Sequence, residues 1–436
     1  MDLWSTASKR RWIVWGALAL GFLLVNVHRL STAVLSEDLM RAFQTTGASL
    51  GTLHSAFFYV YAPMQVGAGV LADRLGIRQT ATAGTVVMSF GALAFGLADS
   101  YLLAFLARVV IGLGASVIFI ATLRFCANWY QPGEFATMSG LTVAIAGLGG
   151  ILATTPLAVT VTSLGLRRTL VGLAVVGLVI AVVVWVLARD TPADAGLDAV
   201  EGVPDSRTLT LRAVAANVRT VFAERETWLA GVGLFVSLGL NMTVIGLWGL
   251  PYVANVYDLS VTAASTLTLL GSLGMLVGAP TVGRFSDRLG RRTGLMVAGA
   301  AVYTLAFAVL AIVGRPPLPI VGLCFFTVSF LSGSYALGYT VVKNRHGAGA
   351  SGVATGAVNA LGFTGAAVFP TLMGLILDAY WTGATVGGAR VYTMLGYRVM
   401  FGLAALSGLV SLGCVLSLHR RTPDPTAGDA GDAVGA

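Results

Sequence analysis

Long apolar runs separated by short polar turns dominate the pattern along this chain. A helix needs roughly 20 apolar residues to cross a hydrocarbon core, and the chain offers that length about twelve times. The pattern predicts helices over 12–40, 47–73, 79–98, 101–124, 134–162 and 167–188 in the first half. In the second half it predicts helices over 226–256, 260–284, 293–313, 318–342, 349–378 and 396–417. Spans this long imply tilt or helix continuing beyond the lipid. The only sizeable break, 189–225, begins with Asp190, Thr191, Pro192 and Asp194. It continues with Leu211, Val214, Ala215, Val218, Val221 and Phe222 at helical spacing, interspersed with Arg207, Arg212 and Arg219. That stripe predicts a helix lying on the membrane surface. The expected organisation is a bundle over 1–188, a linker over 189–225, a bundle over 226–417 and a disordered tail over 418–436.

Two polar turns are copies of each other. Gly69-Val-Leu-Ala-Asp73-Arg74-Leu-Gly76-Ile-Arg78 and Gly283-Arg-Phe-Ser-Asp287-Arg288-Leu-Gly290-Arg291-Arg292 both follow G-x-x-x-D-R-L-G-x-R, 214 positions apart (69 to 283). Gly140 and Gly149 are matched by Gly356 and Gly365, 216 positions later. A repeat at half the chain length implies a duplicated six-helix unit, the usual design of a secondary transporter. The fold class expected is therefore an all-α membrane protein of twelve transmembrane helices in two pseudo-symmetric six-helix bundles.

Composition excludes a soluble globule. Charged residues make up 11% of the chain and hydrophobic ones 56%, against roughly 25% charged in soluble domains; mean hydropathy is +0.84. The net charge of +8 does not mark a nucleic-acid binder, because the arginines punctuate apolar runs without interleaved aromatics. With both termini inside, about nineteen lysines and arginines fall on cytoplasmic segments and six on the other side, leaving Arg29 and Arg108 within helices. Arg167 and Arg168 run against that bias. Lys9-Arg10-Arg11 before an apolar run resembles a signal peptide, but the run is too long and is expected to stay as the first span. Three cysteines, Cys126, Cys324 and Cys414, argue against a disulfide framework.

With these motifs in hand, the chain resembles the major facilitator superfamily over essentially its whole length. The D-R-L-G turn is similar to that superfamily's signature between its second and third helices, with an echo between the eighth and ninth. Arg108-Val-Val-Ile-Gly112-Leu-Gly114 resembles its R-x-x-x-G-x-G signature. Ser55-Ala-Phe-Phe-Tyr-Val-Tyr61-Ala-Pro-Met-Gln65, His28-Arg29-Leu-Ser and Gly356-Ala-Val-Asn359-Ala-Leu-Gly362 are similar to segments of the anion:cation symporter family. That finer resemblance implies transport of organic anions, often carboxylates, with protons. Two departures bear on coupling: His28 stands where that family has an acid, and the fourth helix carries no glutamate.

Arg29 is the leading substrate-binding candidate. A charge at mid-helix costs roughly 2.5–3.5 kcal/mol, so it faces a cavity or a partner unless it snorkels to the interface. Its planar fork suits a carboxylate. His54, Phe58, Tyr61 and Gln65 step by 4, 3 and 4, one helical stripe that is polar where a lipid-facing one would be apolar. Tyr61 and Gln65 are thus expected beside the anion, with Asn359 contributing from the other half; interhelical packing is the alternative for both amides. His28 and His54 are the candidate proton relays; without a relay, the protein is an exchanger. Glu37, Asp38 and Asp378 are expected in solvent. Gating is expected from Asp73 capping the helix that starts near Ala348 to Ser351, with Arg74, Arg108, Arg124, Asp287 and Arg288. The arginines of these turns also retain them inside.

The expected function is alternating-access transport of a small organic anion across an inner membrane. Expected partners are that anion, membrane lipid and protons, with no nucleic acid, no cofactor and no metal; a monomer is expected. Drug efflux is the alternative, disfavoured because Gly147-Leu-Gly149-Gly150 with the later Pro156 lacks the contiguous G-P-x-x-G-G of antiporters. A non-transporting sensor is the alternative of another class, although no polar segment exceeds about 35 residues to relay a signal. No catalytic constellation argues for an enzyme.

Overall fold

The structure, a computed structural model, describes residues 6–198, 211–346, 348–386 and 388–422. The first half comprises α1 (Thr6–Leu30), α2 (Ser36–Phe43), α3 (Gly47–Gly96), α4 (Tyr101–Trp129), α5 (Pro132–Leu152), α6 (Thr155–Leu164) and α7 (Leu166–Leu187). The second comprises α8 (Leu211–Ala223), α9 (Arg225–Thr243), a π-helical turn (Val244–Trp248), α10 (Gly249–Tyr257) and α11 (Val261–Leu289). It continues through α12 (Arg292–Val313), α13 (Leu318–Lys343) and α14 (Ala348–Ala379). A hairpin of β1 (Trp381–Val386) and β2 (Ala389–Tyr392) precedes α15 (Met394–Arg421).

Among the described residues, ten helices are long and apolar enough to cross a membrane, and the bent pair α5–α6 makes an eleventh. Beyond a kink at Gly76, α3 continues in a second limb that ends at Gly96. Gly76 has φ 79° and its mate in the second motif copy, Gly290, has φ 63°, so each copy places glycine where the chain turns left-handed. At Gly76 a Cβ would also strike the Asp190 carboxylate. The carboxylate is engaged there, accepting from the Arg78 backbone N–H at 2.8 Å. The recurring D-R-L-G turn is thereby explained as backbone geometry.

Three expected spans are interrupted. The run over 12–40 stops at Leu30, because Ser31 and Ser36 hydroxyls donate back to the His28 and Ala33 carbonyls at 3.2 and 2.8 Å and compete with the helix. The run over 134–162 bends by 44° between Leu152 and Thr155; Pro156 has no N–H to continue the ladder. The run over 226–256 contains the π-helical turn, with the Gly249 N–H donating to Val244.

Burial sorts the helices. The apolar windows of α1 and the α9–α10 span are 72% and 78% buried, whereas those of α7 and α15 are 28% and 33% buried, so the former are central and the latter form the lipid-facing rim. The halves meet along α3 with α14 and α5 with α11, extended by α6 on α11 and by α1 against the π-helical turn. In α3–α14 the backbones approach closely, since a Cβ at Gly51 would collide with the Pro370 carbonyl and one at Gly374 with the Gly47 carbonyl; in α5–α11 the Leu276 side chain packs onto Gly147, where a Cβ would lie 2.5 Å from it. In the linker, α8 buries Val214 and Val221 and packs against α14. The expectations placed on 199–210 and 423–436, including Arg207 and most of the tail, lie outside the described residues, as do the Arg212 side chain and Ala436.

Candidate functional site

The site begins at the last turn of α1. Arg29 does not snorkel: it is 4% exposed. Its Nη1 donates to Asn26 Oδ1 at 3.2 Å. Its Nε and Nη2 are buried without any hydrogen-bond partner. Rings enclose the guanidinium, whose carbon lies 4.7 Å from the Tyr61 centroid, 4.9 Å from Phe363 and 5.8 Å from Phe57. Cation–π attraction offsets part of the cost of burying the charge, but supplies no acceptor for the open N–H groups. Phe363 comes from α14, so the enclosure is built by both halves.

The stripe of α3 faces inward as its polarity predicts: His54, Phe58, Tyr61 and Gln65 are all buried. Tyr61 meets Arg29 through its ring face, and stacks on Phe57 at 5.3 Å. Gln65 donates to the Tyr61 carbonyl at 3.2 Å and accepts from Asn359 Nδ2 at 2.9 Å. Tyr339 on α13 completes the chain, its hydroxyl donating to Asn359 Oδ1 at 2.6 Å. Arg29, Tyr61, Gln65 and Asn359 are therefore brought together at the junction of the halves.

The remaining polar candidates on these helices sit apart from that cluster. His28 directs its carbonyl, not its ring, into a hydrogen bond: it accepts from Arg108 Nη1 at 2.7 Å. His28 Nε2 and both ring nitrogens of His54 are buried without partners. His54 packs on Phe58 at 5.5 Å and faces the π-helical turn, where a Cβ on Gly246 would come within 3.3 Å of it. Arg108 is buried on α4. It donates through Nη2 to Thr32 at 3.3 Å and through Nε to the Leu53 carbonyl at 3.5 Å, in addition to His28. These bonds tie α4 to α1 and α3 within one half.

The two ends of the bundle differ. At the hairpin end, Asp378 of α14 caps α3, accepting from the Gly47 and Ala48 N–H groups at 2.8 Å each. Arg390 of β2 pairs with the same carboxylate at 3.1 Å. Instead of standing free in solvent, Asp378 is half-buried because it caps α3. Thr52 meets Thr371 at 3.2 Å and Thr155 meets Ser265 at 2.9 Å across the halves, while Trp248 donates to the Pro370 carbonyl at 3.2 Å within the second half. The hairpin end is sealed across the halves.

At the motif end, the ion pairs described join elements within a half. Arg11 is bidentate on Glu134 at 3.0 and 3.1 Å, and Arg345 meets Glu224 and Glu226 at 3.3 and 3.6 Å. Arg74, Asp287 and Arg288 are exposed. Arg124 is half-buried at the inner end of α4 and is engaged in an interaction. The Asp73 side chain and those of Ala348 to Ser351 lie outside the described residues, so the cap expected there does too.

Several residues of the site were not singled out from the sequence. Phe363 follows Gly362 directly in the quoted segment of the eleventh span. Asn26 lies one turn before Arg29, and Asn241 lies 215 positions after Asn26, the spacing of the repeat itself. Both asparagines line a small cavity of about 10 Å³ between the halves, with Leu30, Gly150, Ser272 and Met275. Extending the repeat to polar residues inside the spans would have found this pair. Asp378 and Arg390 carry no such signal.

The comparisons with known proteins agree with this architecture. A bacterial homologue of the human lysosomal transporter Spinster, in an inward-facing and unoccupied conformation, superposes with a TM-score of 0.74 at 18% identity, over 94% of this chain and 97% of that one. The probable sulfoacetate transporter SauU of Cupriavidus necator is 26% identical over 69% of this chain and 70% of its own length. The membrane sensor protein UhpC of Salmonella typhimurium is 25% identical over 84% of this chain and 85% of its own. Residues 14–370 and 229–434 both match the Major Facilitator Superfamily. A duplicated helical unit, matched over nearly all its length and closed around a polar junction, makes this chain a multi-pass membrane protein of the major facilitator superfamily, a transporter of small molecules and not an enzyme.

Proposed function

We propose that the protein carries a small organic anion, a carboxylate or a chemically similar group, across the cytoplasmic membrane by alternating access. One observation carries this reading: Arg29 holds a buried positive charge with two open N–H groups, between helices of opposite halves. A buried donor without an acceptor costs about 1–3 kcal/mol, more when charged, and an anionic ligand relieves that cost. Tyr61 packs its ring on the guanidinium, and the Gln65–Asn359 pair joins the halves one helical turn further along α3. The relative named for sulfoacetate supports an anionic cargo. Arginine and lysine placement supports a cytoplasmic motif end and cytoplasmic termini.

In this reading the sealed hairpin end is the outer gate, and Asp73, Arg74, Arg124, Asp287 and Arg288 belong to the inner one. Arg108 serves the gates indirectly, by fixing α4 to α1 and α3. His28 and His54 are the groups available for proton coupling; if neither relays, anion exchange drives the cycle. The UhpC relative keeps a sensing role as the second reading. Uptake of carboxylates and sulfonates into proteoliposomes, with and without an imposed pH gradient, separates the cases. Arg29-dependent uptake supports transport of an anion, and stimulation by the gradient supports protons. Binding without uptake favours the sensor, and uptake restricted to lipophilic cations overturns the proposal.

A further inference from the structure

The Arg29 junction is lopsided in charge. The repeat spacing that relates Asn26 to Asn241 takes Arg29 to Val244, a fully buried aliphatic residue at the start of the π-helical turn. Where the first half presents a guanidinium, its counterpart presents an isopropyl group. Among the described residues, the buried arginines are Arg29 and Arg108, and the second half contributes none. Arg108 already donates to three oxygens. His28 and His54 have no carboxylate within ion-pair distance among the described residues, and a second unpaired buried charge is costly. The junction thus has one positive charge free to meet a ligand.

Beside that charge lies neutral polarity from both halves. Asn26 donates through Nδ2 to the Phe22 carbonyl at 2.9 Å, accepts from Arg29 through Oδ1 and lines the cavity; Asn241 lines it from the pseudo-equivalent position and donates to Ser329 at 2.7 Å, so each amide offers the cavity its oxygen as an acceptor. Ser272 completes the polar wall, within 3.5 Å of the Gly150 carbonyl. At about 10 Å³ the cavity holds a water-sized group. Amides and hydroxyls recognise uncharged hydrogen-bonding groups by pairing, and reject analogues that leave them unpaired.

We infer that the site selects organic anions with a single negative charge and an adjacent hydroxyl-type group, against dianions of the same length. Arg29 takes the charged end and the Asn26–Asn241 pair takes the uncharged polar end. The inference rests on the anion reading proposed above and adds the charge state and second functional group of the cargo. A second carboxylate placed against Asn241 and Ser272 would be buried without a cation, which costs far more than the hydrogen bonds return.

The test uses purified full-length protein and matched pairs of hydroxy acids: glycerate against tartronate, threonate against tartrate, gluconate against glucarate. Ligand-dependent thermal stabilisation at pH 7.5 gives apparent affinities. In every pair that binds, the monoanion is expected to bind at least about tenfold more tightly, a difference of about 1.4 kcal/mol. Asn241→Leu is expected to weaken the hydroxy acid while sparing the deoxy monoanion of equal length; Asn241→Ser is the milder second variant. A dianion that binds as tightly as its partner overturns the inference and leaves the anion reading standing. Equal loss of both monoanions in each asparagine variant also overturns it. Absence of binding by every anion overturns both.

Discussion

Among the described residues two arginines are buried, and they do opposite things. Arg108 spends its N–H groups on the carbonyls of His28 and Leu53 and on the Thr32 hydroxyl, all from neighbouring helices of its own half. Arg29 gives one N–H to Asn26 and leaves Nε and Nη2 open inside aromatic walls supplied by both halves. Burial alone therefore does not distinguish a binding charge from a fastening one. The distinction lies in whether the donors are satisfied: a saturated arginine fixes helices, and an unsaturated one at a moving interface waits for an acceptor.

The sharpest way to break the comparison is to exchange the consequences of losing each arginine. Arg29→Ala is expected to lower transport at least ~100-fold, because two charge-assisted hydrogen bonds are worth about 1.5–3 kcal/mol each. Its melting temperature should hold or rise, since the substitution removes open buried donors. Arg29→Lys should fail nearly as badly, lacking the planar fork. Proteoliposome uptake together with thermal melting reads both quantities. Arg108→Leu is expected to lose on the order of 3 kcal/mol of stability, as the His28 and Leu53 carbonyls lose their donor. A purified Arg108→Leu protein that melts like wild type would erase the contrast.

The seal between halves gives the next effect in size. A Cβ at Gly51 collides with the Pro370 carbonyl, so Gly51→Ala should destabilise the closed hairpin end by about 1–3 kcal/mol. In protein lacking Cys126, Cys324 and Cys414, labelling of Thr371→Cys by an impermeant maleimide should rise about tenfold if the seal is a gate. Unchanged labelling would mean the close approach is only packing. The smallest effect concerns Glu37 on α2, outside the spans. Burial, and then the neighbouring Asp38, raise its carboxyl above the ordinary range. A raised carboxyl contributes stability below its unfolded-state range and loses it as pH climbs through the folded-state one. Glu37→Gln should therefore raise the melting temperature slightly at pH 7 and little at pH 4.

Much of this architecture is written in local pattern. Run length predicts the spans, and the two D-R-L-G turns predict the duplication because both need a left-handed glycine at Gly76 and Gly290. Arg29, Tyr61, Gln65 and Asn359 were readable because polar residues at helical spacing inside an apolar run have few places to go. What escaped the pattern is tertiary. Hydroxyl groups at Ser31 and Ser36 end α1 early, and nothing in hydropathy marks the π-helical turn at Val244–Trp248. The hairpin over 381–392 has no hydropathy signal, and the Asp378 cap of α3 joins residues more than 300 positions apart in sequence. Asn26 and Asn241 are legible through the repeat spacing, although neither belongs to the D-R-L-G turns or the glycine pairs.

Ligand-induced thermal stabilisation of purified wild-type and Arg29→Gln protein, across a panel of carboxylates and sulfonates, tests the central claim most directly. The account predicts that at least one anion raises the melting temperature of the wild type and none raises that of Arg29→Gln, which itself melts no lower than wild type. An anion that stabilises both proteins equally would contradict it, and Arg29 would then be a fastening residue like Arg108.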